Sequence, residues 1–143
     1  MTVVLAKVFF DEVRSACASA AAALGLTGPQ ESQRVMPRAD YKSAGVEYRV
    51  RLDDSDATVE CSVKIETDTV RLTVGIEELA IAAGVVEKRG GISYSARNLK
   101  QLRKSLHGQA DYLQQVHPFL ADAAAAEQLM RQAGAREWNK DAP

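Results

Sequence analysis

The stretch VEYRVRLDDSDATVECSVKIETDTVRLTVGI, residues 46–76, decides the fold. Val46, Tyr48, Val50 and Leu52 alternate with Glu47, Arg49 and Arg51. Ala57, Val59, Cys61, Val63 and Ile65 then alternate with Thr58, Glu60, Ser62 and Lys64, and Val70, Leu72, Val74 and Ile76 with Thr69, Arg71 and Thr73. Successive strand side chains point to opposite faces, so three period-two runs predict three half-buried strands. The intervening turns, Asp53-Asp54-Ser55-Asp56 and Thr67-Asp68, are short, and short turns join antiparallel neighbours. The segment therefore reads as a meander with one apolar and one charged face. Counting outward from the first turn sets Arg49 against Glu60, a favourable cross-strand pair.

Upstream, residues 4–24 carry Leu5, Val8, Phe9, Val13, Ala16, Cys17, Ala20 and Leu24 at helical spacing, with Lys7, Asp11 and Arg14 opposite. Gly25 supplies a C-terminal stop. Residues 25–45 read as a connector punctuated by Gly28, Pro29, Pro37 and Gly45, with an edge strand allowed around Val35, Ala39 and Tyr41. Downstream, Glu77 to Ala83 predicts a short helix closed by Gly84. Val85 to Tyr94 reads as a small hairpin or ordered loop around Gly90-Gly91. Ser95 then stands as the N-cap of a helix striped by Leu99, Leu102, Leu106, Ala110, Leu113 and Val116. Pro118 breaks it, and Phe119, Leu120, Ala123, Leu129 and Met130 form a last helix ended by Gly134. Trp138 is expected to fold back onto the body, and residues 139–143 to fray.

Strands grouped together and flanked by helices indicate α+β. The expected architecture is an antiparallel three- to five-stranded meander sheet with the N-terminal and C-terminal helices packed on one face, residues 1–143 forming one domain. This order of elements resembles that of type III secretion chaperones and related small adaptor domains, and the resemblance implies a protein-binding role. The chain has 143 residues with 46% apolar and 26% charged side chains and a formal net charge of −1. That balance fits a folded domain and gives no long-range pull toward nucleic acid or anionic membrane. No run approaches the roughly 18–20 apolar residues of a membrane span, and the apolar start, Met1 to Phe10, is interrupted by Lys7, so a cytoplasmic location is expected. Cys17 and Cys61 fall on apolar faces and read as reduced, structural thiols.

Candidate chemistry is sparse. His107 and Asp111 lie one helical turn apart with Ser105 nearby, but positions 105 and 107 of a helix point about 200° apart, so the serine cannot serve the imidazole. His117, beside Pro118, reads as a helix-junction residue. Two His and two Cys show no metal-ligand spacing. Asp53, Asp54, Asp56 and Glu60 cluster as in a calcium loop, but Thr58 and Lys64 occupy the places of its Gly and Glu, and the aspartates suit a turn. Gly90-Gly91 lacks the Lys-Ser/Thr of a phosphate loop. Leu79 to Val85 resembles the start of a helix-turn-helix, which requires a second helix within about three or four residues. Neither metal nor organic cofactor is expected, and an enzyme is the less favoured reading.

One feature stands out. Residues 88–107 contain Lys88, Arg89, Arg97, Lys100, Arg103 and Lys104 and no acid. On a helix, Arg97, Lys100, Arg103, Lys104 and His107 share one arc of about 120° beside the leucine stripe. These five residues predict a partner-binding face. The leading reading is a non-catalytic protein-interaction module (adaptor, chaperone-like or toxin-neutralising) that binds an acidic protein surface. A nucleic-acid-binding protein using the basic helix 95–107 is the first alternative. A small enzyme or ligand-binding domain with a pocket between sheet and helices is the second. For the fold, the decisive substitution is Val63→Asp. A charge placed among the alternating apolar positions is expected to cost several kcal/mol and to abolish cooperative thermal unfolding as followed by circular dichroism.

Overall fold

The computed structural model describes residues 5–140. A helix, α1 (Leu5–Leu24), is followed by five strands, β1 (Thr27–Ser32), β2 (Arg38–Ser43), β3 (Val46–Asp53), β4 (Thr58–Glu66) and β5 (Val70–Gly75). Three helices come next, α2 (Ile76–Ala82), α3 (Leu99–Val116) and α4 (Ala123–Gln132), with a 3-10 turn His117–Leu120 between the last two, and the chain returns as β6 (Arg136–Asn139). The sheet is an antiparallel meander in the order β1-β2-β3-β4-β5-β6. It has six strands, where the sequence predicts three to five.

The extra strands have identifiable causes. β2 and β3 are joined by Ala44-Gly45, whose φ values of 40° and 87° place both central residues in the left-handed region of a two-residue hairpin. β1 pairs β2 with a register shift between Thr27 and Gln30, where Gly28 and Pro29 interrupt the ladder. Gly28 has φ 121°, and a Cβ there would stand 2.6 Å from the Asp40 carbonyl oxygen, so the strands can approach only because this residue has no side chain. β6 is added at the far edge, on β5. Asn139 ends it, and the Lys140 amide donates to the Thr69 carbonyl at 2.8 Å. The remaining residues of the expected tail, 141–143, lie outside the described residues, as does position 4 of the expected first helix.

The predicted alternation is met in the core, where Val50, Val59, Cys61, Val63, Leu72 and Val74 are all buried. They share one face with Tyr48, Ile65 and the β2 residues Ala39 and Tyr41, which stand opposite Val50 and Tyr48. Phe9, Val13 and Cys17 of α1, Leu79 of α2, Leu102, Leu106 and Leu113 of α3 and Met130 of α4 join the same buried cluster. The pairing of Arg49 with Glu60 is not realised: Arg49 stands opposite Ser62, and Arg51 opposite Glu60. Ala57, expected to open the second strand, has φ 53° and belongs to the turn, so the register moves by two residues and the faces are preserved. In that turn the Asp53 carboxylate accepts from Ser55 N, Ser55 Oγ and Asp56 N, which holds its pKa below the usual range.

The chain leaves the sheet at Gly75, which stands opposite Ser62, so β5 does not cover the first half of β4. Other groups complete that edge. Val59 N donates to Tyr94 O at 2.9 Å, Ala96 N donates to Ala57 O at 2.8 Å, and Ser95 bridges Thr58. Ser95 is thus a sheet-edge residue; the cap of α3 is Asn98, whose side chain accepts from Gln101 N. From α3, buried Gln109 accepts from Cys61 N and donates to Val59 O and to Ser105 Oγ, both at 2.9 Å. Residues 85–94 form an ordered loop around buried Glu77, whose carboxylate accepts from Gly90 N at 3.0 Å and Tyr94 OH at 2.9 Å. Gln109→Ala removes two backbone partners from β4. Each buried orphan costs about 1–3 kcal/mol, so a loss of about 2–5 kcal/mol in urea unfolding is expected, with the fold retained in the absence of denaturant.

Candidate functional site

The positions of the five residues singled out on α3 follow from the helix's own amphipathic period. Leu102, Leu106, Ala110, Leu113 and Val116 are buried, as predicted, and so are Ser105, Gln109 and Tyr112. Arg97 precedes the helix, and Lys100, Arg103, Lys104 and His107 lie on it; all five are exposed. They are not equivalent. Arg103 reaches back 91 residues in sequence to Glu12 of α1, donating from Nε at 2.9 Å and from Nη2 at 3.2 Å. A bidentate pair of this kind ties α3 to α1 and raises the guanidinium pKa. Arg89, from the same acid-free stretch, pairs with Glu78 at 2.6 Å and with Glu77 at 3.7 Å. Arg97, Lys100 and Lys104 enter no ion pair among the described residues. The basic arc therefore presents three unneutralised cations and His107, and Lys88, also exposed and without an ion pair among the described residues, lies on the loop before it.

The other candidates sort by burial. Ser105 is turned into the core, where its hydroxyl donates to Ser93 O, while His107 and Asp111 are exposed. The serine and the imidazole thus occupy opposite sides of α3. His117 is the C-terminal cap of α3 and lies half-buried, with Nδ1 2.6 Å from Tyr48 Oη. Burial lowers the imidazole pKa and pushes that of Tyr48 far upward, so the phenol keeps its proton and shares a hydrogen bond with a neutral ring. Cys17 and Cys61 are buried and not disulfide-bonded, and burial pushes the Cys17 thiol up to about 11. Leu79 to Val85 ends α2 and its cap, but the next helix begins at Leu99, far beyond helix-turn-helix spacing. No group of three or more metal-ligating side chains gathers among the described residues, and no helix among them is long and apolar enough to cross a membrane.

A second surface was not identified from sequence. The charged face of the sheet forms an open groove of about 870 Å³. Arg38, Arg49, Arg51, Lys64, Arg71 and Arg136 line it, with Trp138 and Lys140 at its end. Trp138 does fold onto the sheet, as β6, but the residue is 45% exposed and its ring carries the Arg136 guanidinium at 5.2 Å. A smaller cleft of about 580 Å³ lies between the β2–β3 turn and the start of α4, lined by small residues such as Ala44, Ala123 and Ala126 together with Glu66, Asp68, Glu127 and Lys140.

No family model matches the chain, and neither a curated protein nor a solved structure matches it. The functional reading rests on the geometry alone.

The Tyr48–His117 pair predicts a pH response. The folded imidazole pKa lies below its unfolded value of about 6.5. The unfolded chain therefore binds more protons as pH falls, and stability present above about pH 6.5 is lost below it. Melting temperature should fall between pH 7 and pH 5, and His117→Gln should flatten that interval. The exposed carboxylates with lowered pKa, Asp53 and Glu66, act at lower pH and leave the difference between the two proteins unchanged.

Proposed function

We propose that this chain is a non-catalytic protein-interaction module that binds an acidic protein surface through the basic arc of α3. The observation that carries the reading is the set Arg97, Lys100 and Lys104, exposed and without an internal ion pair, while Arg89 and Arg103 are neutralised by the fold. Surface charges usually mix in sign. Here the nearby acids are spent on other arginines, and three cations are left facing solvent. The helix that presents Lys100 and Lys104, with Arg97 just before its cap, is fixed on its opposite side by the buried stripe and by Gln109, so the arc is a preorganised surface.

An acidic protein fits this arc better than a nucleic acid. Net charge is −1, and Asp111, Asp122 and Glu127 follow the arc along the chain, where an extended polyanion would meet repulsion. None of the arc positions is aromatic, whereas single-strand binders place stacking side chains among their cations. The module is expected to work in the cytoplasm.

The test is the triple variant Arg97→Glu, Lys100→Glu, Lys104→Glu. These side chains project away from the core, so the melting temperature should stay within about 2 °C of wild type. Association with the partner captured by wild type should slow by at least about tenfold, because charges of this kind steer encounter more than they hold the complex. Unchanged association would leave the arc as a solvated face. Steeply salt-dependent binding to DNA, with no protein partner, would establish the nucleic-acid reading instead.

A further inference from the structure

The charged face of the sheet carries an arrangement that folding alone does not favour. Arg38 of β2 stands directly opposite Arg51 of β3, and Arg49 precedes Arg51 on the same face of the same strand. Like charges opposite one another in an antiparallel pair destabilise the sheet. Glu60 stands opposite Arg51 from β4, but no ion pair among the described residues joins them. Three guanidinium groups are thus gathered on two adjacent strands, and one of them lacks a partner.

The carboxylates beneath them are placed as supports. Asp40 and Glu47 are only 7% and 12% exposed in their side chains, whereas Arg38 and Arg49 are 39% and 30% exposed. Each acid engages its arginine at Nε, at 3.2 Å for Arg38–Asp40 and 3.4 Å for Arg49–Glu47. These are charge contacts and not hydrogen bonds, since Arg38 Nε, Arg49 Nε and Asp40 Oδ1 have no hydrogen-bond partner among the described residues, and the atoms that approach the acids are the Nε atoms, not the terminal nitrogens. The acids therefore form a lower layer, and the guanidinium forks form the layer that meets solvent. A fork approached at Nε rather than at its terminal nitrogens suits bidentate recognition of a carboxylate. Farther along the groove, Arg71 pairs with Glu66, and Arg136 lies over Trp138.

We propose that this groove binds an extended acidic peptide segment of a partner protein, its carboxylates read by Arg38, Arg49 and Arg51. The occupant follows from charge and shape. Cations spread over strands β2 to β6 match a chain laid across the sheet better than one compact anion. A continuous phosphate backbone would have to pass Glu60 and Glu78, which line the groove among the cations, whereas peptide side chains can select the arginines and skip the acids. Trp138 is the sole tryptophan, and its ring is already faced by Arg136, so it offers little stacking to bases. This surface is separate from the α3 arc: its arginines belong to the sheet and to β6, no residue of α3 lines it, and α3 engages the sheet through Gln109.

Trp138 lies in the groove, so its fluorescence reports occupancy without a label. The probe is a short oligo-glutamate peptide, compared with a single-stranded oligonucleotide of equal charge. A saturable emission change with the peptide is expected for wild type and for the α3 triple variant. Arg38→Gln/Arg51→Gln should weaken it by at least about tenfold, which is one step of about 1.4 kcal/mol. Arg51→Lys keeps the charge and removes the fork, and should weaken binding less than Arg51→Gln. Arg51→Gln should also melt no lower than wild type, because the apposition with Arg38 is relieved. Absence of a saturable response, unchanged binding by the double variant, tighter binding of the oligonucleotide, or loss of peptide binding in the α3 triple variant would each overturn the proposal. The last of these would place the binding on α3 and leave the arc reading intact.

Discussion

At Gly75 the chain turns out of the sheet into α2 while β4 still has half its length to complete. The backbone groups of Val59 and Cys61 on that side would be buried without partners, at about 1–3 kcal/mol each. The fold meets this constraint with Tyr94 O, with the bridge at Ser95 and with the Gln109 side chain. Gln109 reaches β4 only if α3 lies across the exposed end of the ladder. Ser105, hydrogen-bonded to Gln109 and to Ser93 O, then fixes the loop that leads into α3. The orientation of α3, and with it the direction in which Lys100 and Lys104 face, follows from the need to finish one strand.

Charge in this protein is used at two depths. Glu12, Glu77 and Glu78 neutralise Arg103 and Arg89 and tie elements together. Asp40 and Glu47 lie under the sheet arginines and hold them outward. Burial raises the pKa of Asp40, and Arg38 opposes that rise, whereas Lys64 and Arg49 hold Glu47 below the usual carboxylate range. Such partly buried pairs contribute less to stability than their number suggests, because desolvation offsets attraction. What they do supply is direction. An arginine drawn by charge to a buried carboxylate has less room to sweep, so its guanidinium stays near that acid.

The meander from Val46 to Val74 was legible because period-two alternation is a local signal that burial enforces. The edges were not. The turn between β2 and β3 is Ala-Gly, without the Asn or Asp that usually marks left-handed residues, so the pair reads as a connector. β6 is four residues long and none of them is buried, and a strand without a buried face has no alternation to read. The two-residue register error came from Ala57, an alanine in a conformation that its type gives no reason to expect. Of the candidate site, the exposure of Arg97, Lys100, Lys104 and His107 was visible from helical phase. The capture of Arg103 by Glu12 was not, because the partner lies 91 residues away. The sheet groove was missed because its cations come from five strands and mean nothing as a set until the register places Arg38 against Arg51.

The bond from Cys61 N to Gln109 has a dynamic meaning as well. Most amides in a sheet exchange with solvent only when neighbouring strands separate, and those events report on the sheet as a whole. The Cys61 amide is held by a helix side chain instead. Its proton becomes available when α3 lifts from the sheet, even while β3, β4 and β5 remain paired. A single backbone hydrogen in the middle of the core thus keeps time for the docking of one helix.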